Sequence, residues 1–234
     1  MKARLVTLIA FAALSGGLAL HPLAAQDESP EDLVRKLKGQ AGQTTGGVTA
    51  RGGITSRGGT RSIGGAAAPA VKTETRSVVL SRGVPKAVSA AAEEDKVTIQ
   101  QSPAGQQTLN YTVDSESKVS RDNIFFRKGS ADFADDASVN VVVTLATALK
   151  HPELKGLQFV IEGHASAEGD AVSNQFLSQL RAEQIVSVLT SLGVDNQCLI
   201  PVGFGESQAR FPDSSPEQLL KQDRRVLIFR LDRK

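Results

Sequence analysis

GHASAEGDAVSNQFLSQLRAEQIVSVL, residues 163–189, is the stretch whose reading decides the fold. Its first seven residues are small or polar and are bracketed by Gly163 and Gly169, the composition of a loop. From about Asn174 the apolar spacing becomes helical, and the pattern runs to Leu192 before Gly193, a natural C-terminal cap. Leu177, Arg181, Ile185, Val188 and Leu192 fall on one stripe less than about a quarter-turn wide at 100° per residue. Arg181 is out of place there. A guanidinium beside a core needs an acceptor, because an unpaired charge in that position is costly.

Working outward, LQFVIEGH (157–164) places Leu157, Phe159 and Ile161 on one face of a strand that feeds the loop. Upstream, NIFF (123–126) reads as a strand. DDASVNVVVTLATALK (135–150) reads as a helix with an aspartate cap, apolar positions Val142, Leu145 and Leu149, and a stop at His151-Pro152. Downstream, CLIPVGF (198–204) is a strand whose Pro201 assigns it to an edge or bulge. SPEQLLKQ (215–222) starts a short helix, and RVLIFRL (225–231) is apolar enough for a central strand. The order β-α-β-α-β-α-β describes a two-layer α/β sandwich over residues 118–234.

The N-terminal half reads differently. Lys2 and Arg4, the apolar run LVTLIAFAALSGGLAL and the small residues Ala24 and Ala25 form an export signal over residues 1–25. Residues 26–95 read as a basic, glycine-rich disordered linker, in which 31–38 could form one or two helical turns. Residues 39–65 hold ten glycines, and RGGITS (51–56) is echoed by RGGTRS (57–62). Such glycine density does not repay the ordering of a backbone. VTIQ (97–100) and TLNYTV (108–113) flank SPAG as a β-hairpin lead-in over residues 96–117. The basic repeats lack aromatics that stack on bases, and the chain reads as exported, so nucleic acid is not the expected partner. The single cysteine, Cys198, excludes an internal disulfide and lies far from any N-terminal lipid attachment position.

Catalytic chemistry finds no support. His21, His151 and His164 share no metal-ligand spacing, and no metal or cofactor is expected. His164 and Ser166 at a strand exit do not make a triad, and GFGES (203–207) lacks the Lys-Ser/Thr of a phosphate loop. What remains is a binding site. The loop at 163–169 would let a ligand approach the backbone, with Arg181 at the floor of a groove beside Arg224 and Arg225 and a fork suited to a carboxylate. On these residues alone the alternative stays open that Arg181 ties down a structural partner such as Glu162 or Asp223.

IEGHASAEGDAVSNQFLSQLRAEQIVSVL (161–189), followed by VGFGES (202–207) and DRRVLI (223–228), resembles the C-terminal peptidoglycan-binding domain of the OmpA family. The resemblance spans about residues 122–231. It implies a noncatalytic anchor that grips diaminopimelate in the stem peptides of the wall, in the periplasm and against the cell wall or outer membrane. By this resemblance Arg181 takes the ligand carboxylate, and Gly163, His164, Ala165, Ser166, Glu168, Asn174 and Arg225 complete the site. The family's G-H-T-D becomes Gly163-His164-Ala165-Ser166 here, so the acid that meets the ligand's ammonium is a serine. A charge-assisted hydrogen bond contributes about 1.5–3 kcal/mol, so affinity falls roughly 10- to 100-fold unless Glu168 or Asp170 supplies the charge. A second departure, Asp223 in place of an asparagine, sets an acid beside Arg181. The implied partners are diaminopimelate-type peptidoglycan and other envelope proteins. The competing reading is an OmpA-fold protein–protein module that has lost the wall ligand.

Overall fold

The computed structural model describes residues 28–39, 72–80, 97–103 and 106–232. The export signal and the RGG repeats lie outside the described residues. Eleven helices and strands carry the described fold. They are α1 (Pro30–Lys38), β1 (Thr73–Leu80), β2 (Val97–Gln101), β3 (Gln107–Asp114), β4 (Val119–Arg121), α2 (Asp136–Leu149), β5 (Phe159–Gly163), α3 (Ala171–Ser191), β6 (Leu199–Gly203), α4 (Glu217–Asp223) and β7 (Val226–Arg230).

A four-stranded sheet ordered β4-β7-β5-β6 is the centre of the molecule. β5 and β6 run parallel across α3, and the other pairs are antiparallel. Every residue of β5, β6 and β7 is buried, as expected of strands covered on both faces. Pro201 pairs opposite Ile161 on the edge strand β6, where the missing N–H costs no ladder bond on the open side. On one face Phe159, Ile161, Val226 and Ile228 pack with Val142, Leu145 and Leu149 of α2 and Ile185 and Leu189 of α3. α2 is capped by Asp135, whose carboxylate accepts from the Ser138 N–H at 2.7 Å. α3 ends in a Schellman turn: Gly193 adopts φ +89°, and the Val194 N–H donates to the Leu189 carbonyl at 3.0 Å.

The sandwich gains a layer that the sequence reading did not contain. Val160, Ile200, Val202, Leu227 and Phe229, on the second face, pack against Val78, Val97, Leu109, Tyr111 and Val113 of a three-stranded sheet ordered β1-β3-β2. β2 and β3 form the hairpin, and β1 pairs with β3 along its whole length, Thr73 opposite Asp114 to Leu80 opposite Gln107.

Two parts of residues 26–95 therefore depart from the linker reading. α1 buries Leu33, Val34 and Leu37 in the core shared by α2 and α3. Its C-terminal end is held by Arg230, which donates to the Lys38 carbonyl and, at 2.6 Å, to Asp114. β1 is a strand with its lead-in fixed by a hydrogen bond from the Ser115 N–H to the Lys72 carbonyl. Lys38 and Lys72, which bracket the glycine-rich stretch in sequence, both lie on this domain.

Two smaller corrections follow from packing. NIFF is not a strand: the ladder lies earlier, at Val119–Arg121, because Ile124 is drawn into the core and Phe126 turns to stack on Phe133 at 5.3 Å. α3 begins at Ala171, three residues before Asn174, because Asp170 caps it through the Ser173 N–H at 2.8 Å.

Candidate functional site

Two glycines set the distance between α3 and the sheet. A Cβ on Gly163 would lie 2.3 Å from the Ser178 carbonyl oxygen, and one on Gly203 would lie 2.3 Å from the Gln179 nitrogen. The helix presents its small residues Ser178 and Ala182 here, and polar bonds replace apolar contact. Ser178 accepts from the Gly205 N–H at 2.8 Å, and Gln179 accepts from the Gly203 N–H at 2.6 Å. The buried face is thus centred on Ser178, Ala182, Ile185 and Leu189. Counting apolar residues alone put Arg181 at its middle. Arg181 stands at the margin instead, roughly 70° round the helix from that centre.

Arg181 is only 8% exposed. Its Nε donates to the Ser130 carbonyl at 3.1 Å, and its guanidinium lies 5.0 Å from the centre of the Phe126 ring. Both structural partners left open by the sequence are occupied elsewhere. Glu162 faces the opposite side of the sheet and pairs with Arg76, while Asp223 accepts from Arg210 and from the Phe211 N–H. Among the described residues no carboxylate reaches Arg181. Burial pulls its pKa down to about 10, and the positive charge of Arg224 adds to the shift, so Arg181 stays protonated at neutral pH.

A cavity of about 230 Å³ opens beside it, lined among others by Phe126, Gly163, Lys221, Arg224, Arg225 and Val226. Lys221 Nζ lies 4.1 Å from the centre of the Phe125 ring and makes no ion pair among the described residues. Arg224 is bound by Glu168 at 3.0 Å and by Glu217. Arg225 rests on the buried Asp223 carboxylate at 3.2 Å, and burial lowers its pKa. The cavity therefore holds an excess of positive charge.

The loop at 163–169 forms the adjoining wall. Ala165 is buried and its N–H donates to the Gly205 carbonyl at 2.8 Å, which fixes the loop without presenting a side chain. Ser166 Oγ donates to Glu168 at 3.2 Å and meets Arg224 at 3.5 Å. Asn174 is a brace: its amide donates to the Glu168 carbonyl at 2.8 Å and to the Glu206 carboxylate at 2.7 Å. Asp170 is committed to the cap of α3, which leaves Glu168 as the acid next to Ser166.

His164 is among the residues that line the cavity, but its ring is committed to other partners. Its ring stacks on Phe204 at 5.1 Å, and Nε2 donates to Glu162 at 3.2 Å. Burial holds its pKa below 6.5 against the pull of Glu162, so the neutral ring is the stable form. Glu162, fully buried, also accepts from Arg76 Nε at 2.9 Å and from the Tyr111 hydroxyl at 2.7 Å. Burial tends to raise its pKa, and the bonds from His164 and Arg76 more than reverse this. Arg76 in turn lies over Phe229 and Phe204, at 4.9 and 5.2 Å. The loop's root is thus clamped to β1 and β3.

Of the residues expected in the site, Gly163, His164, Arg181 and Arg225 come together round the cavity, with Ser166 and Glu168 at its rim. His164, Ala165 and Asn174 hold the loop. Lys221, Phe126 and the Ser130 carbonyl were not foreseen. The packing of the 123–133 segment against α3 brings Phe126 and Ser130 there, and Lys221 of α4 comes in over Phe125. No group of three or more His, Cys, Asp or Glu among the described residues is placed to hold a metal.

Residues 125–222 match the model of the OmpA family. A peptidoglycan-associated lipoprotein of Buchnera aphidicola subsp. Baizongia pistaciae is 32% identical over 72 residues, covering 31% of this chain and 42% of that protein. The chain spans about two fifths of the length of this curated relative. Among solved structures, the peptidoglycan-associated lipoprotein from Burkholderia pseudomallei is similar at a TM-score of 0.40 and 25% identity, over 46% of this chain and 87% of that one. The C-terminal domain of Helicobacter pylori MotB gives 0.40 and 22%, over 45% and 80%. The cell wall anchor of the T6SS from Pseudomonas aeruginosa gives 0.42 and 19%, over 62% and 94%.

Proposed function

We propose that the domain whose residues 125–222 match the OmpA family model anchors the protein noncovalently to peptidoglycan through diaminopimelate-containing stem peptides. The matched curated relative is a peptidoglycan-associated lipoprotein, and on this reading the domain is a noncatalytic anchor. The observation that carries the reading is Arg181, a nearly buried guanidinium that faces a positive cavity with no carboxylate of its own among the described residues. Such a charge is tolerated where a ligand's anion completes it. At about 4 Å and an effective dielectric of roughly 20, one carboxylate there gains about 4 kcal/mol of Coulomb energy before desolvation. The place of action is the periplasm, against the wall or outer membrane, with other envelope proteins as further partners.

The test is co-sedimentation of the whole chain with purified diaminopimelate-type peptidoglycan. A fragment starting at residue 96 would strip α1 and β1 from the core and is unsuitable. The wild type should pellet, and Arg181→Ala should lose at least about tenfold in affinity, the value of 1.4 kcal/mol, with an unchanged circular dichroism spectrum. If the folded wild type stays in the supernatant, the wall reading is wrong and the domain is a protein–protein module of the envelope.

A further inference from the structure

We propose that the Arg181 cavity grips its ligand by two carboxylates and does not read an ammonium group, so a dicarboxylate binds equally with or without amino substituents. This rests on the wall-peptide reading of the same cavity and names the atoms it recognises.

Four cations line the cavity: Arg181, Lys221, Arg224 and Arg225. Arg224 is bound by Glu168 and Glu217, and Arg225 by Asp223. Arg181 and Lys221 have no carboxylate within ion-pair distance among the described residues. Arg181 spends one N–H on a carbonyl and lies over Phe126, and Lys221 sits on the ring of Phe125. Two open positions of like sign suit two anionic groups on one ligand.

No acid at the cavity or its rim is free to meet an ammonium, and Asp135, which acts on Lys221 from farther off, is committed to the cap of α2. Glu217 and Glu168 are held by Arg224. Asp223 is fully buried behind Arg210 and Arg225, and Glu162 lies on the far face of the sheet with Arg76. Ser166 is uncharged and already donates to Glu168. An ammonium could recruit Glu168 only in competition with Arg224, which would leave Glu217 as the one acid paired with that arginine in a cavity of four cations.

The experiment titrates the whole chain by calorimetry with meso-diaminopimelate, with pimelate and with acetate, at matched ionic strength. Pimelate has the same carbon chain and two carboxylates but no amino groups. The two diacids should bind within about threefold of each other and at least about tenfold more tightly than acetate. Lys221→Gln, an exposed substitution, should bring pimelate to the acetate level, and Arg181→Gln should abolish binding of all three. A tenfold advantage of diaminopimelate over pimelate, indifference of pimelate to Lys221→Gln, or no binding of either diacid at about 10 mM, a decade beyond millimolar affinity, would each overturn the proposal. Wall co-sedimentation separates the two readings. Arg181-dependent pelleting with diaminopimelate much preferred over pimelate keeps the anchor and sinks the dicarboxylate rule. Pimelate binding without pelleting does the reverse.

Discussion

At Gly163 the constraint is steric, because a methyl group would meet the Ser178 carbonyl at 2.3 Å, backbone against backbone. Gly163→Ala must push α3 off β5, and overpacking of this kind costs about 1–3 kcal/mol. Urea denaturation should show that loss. Because the displaced helix carries Arg181, wall binding should weaken as well. The Arg76–Glu162 pair makes a second demand at this scale. Glu162 is fully buried and Arg76 nearly so, with side-chain exposures of 0% and 10%. Removing one partner leaves the other charge stranded, so Arg76→Met should lower stability by about 3–5 kcal/mol. Replacing both, Arg76→Met with Glu162→Leu, should recover much of that loss, since the stranded carboxylate is then gone. A double variant as unstable as the single one would show that the pair is not what the substitution disrupts.

At the scale of the element, α1 changes the account of the N-terminal region. Its stripe of Leu33, Val34 and Leu37 completes the core over α2. Leu37→Ala should destabilise the whole domain by about 2–5 kcal/mol, whereas Arg35→Ala, on the exposed side of the same helix, should stay within about 0.5 kcal/mol. If both are neutral by chemical denaturation, α1 does not dock in solution. The contrast also shows what a sequence exposes. β5, α3 and β7 were legible because local periodicity and glycine punctuation report directly on which face is buried. β1 was not, because its inward positions are Arg76, Val78 and Leu80. An arginine among them breaks the apolar alternation, and its partner Glu162 is 86 residues away. The register of α3 was misjudged for a related reason: its sheet-facing residues Ser178 and Ala182 are small rather than apolar and bulky. Arg181 itself was legible as a misfit. The lysine that shares its cavity was not, since nothing local in α4 says where that helix docks.

For the molecule as a whole, the two sheets are joined through two buried polar contacts, Asp114 with Arg230 and the cluster round Glu162, and the titration of that cluster should govern stability toward acid. His164 is surrounded by Glu162 on its own strand's exit, Arg76 from β1 and Arg225 ahead of β7, with Tyr111 from β3 closing on Glu162. The unfolded chain takes up a proton at His164 near pH 6.5, while the folded chain, with a lowered pKa, does so only at lower pH. Stability that is complete above pH 6.5 therefore falls as the pH drops below it, with a slope of up to about 1.4 kcal/mol per unit for one proton. Glu162, held below its usual 4.5, extends the loss: the unfolded carboxylate protonates first, and the folded one follows only as the pH falls further. Denaturation midpoints measured at pH 7.5, 6.5 and 5.5 should decline mainly over the last interval. His164→Asn, which keeps a donor toward Glu162 without a titrating ring, should flatten that decline. If the variant follows the wild-type curve, the acid sensitivity originates elsewhere, and the joint between the sheets does not depend on the protonation of His164. A flattened curve would instead make the root of the ligand loop and the joint between the sheets one titrating unit, so that acid loosens wall binding and the N-terminal sheet over the same pH range.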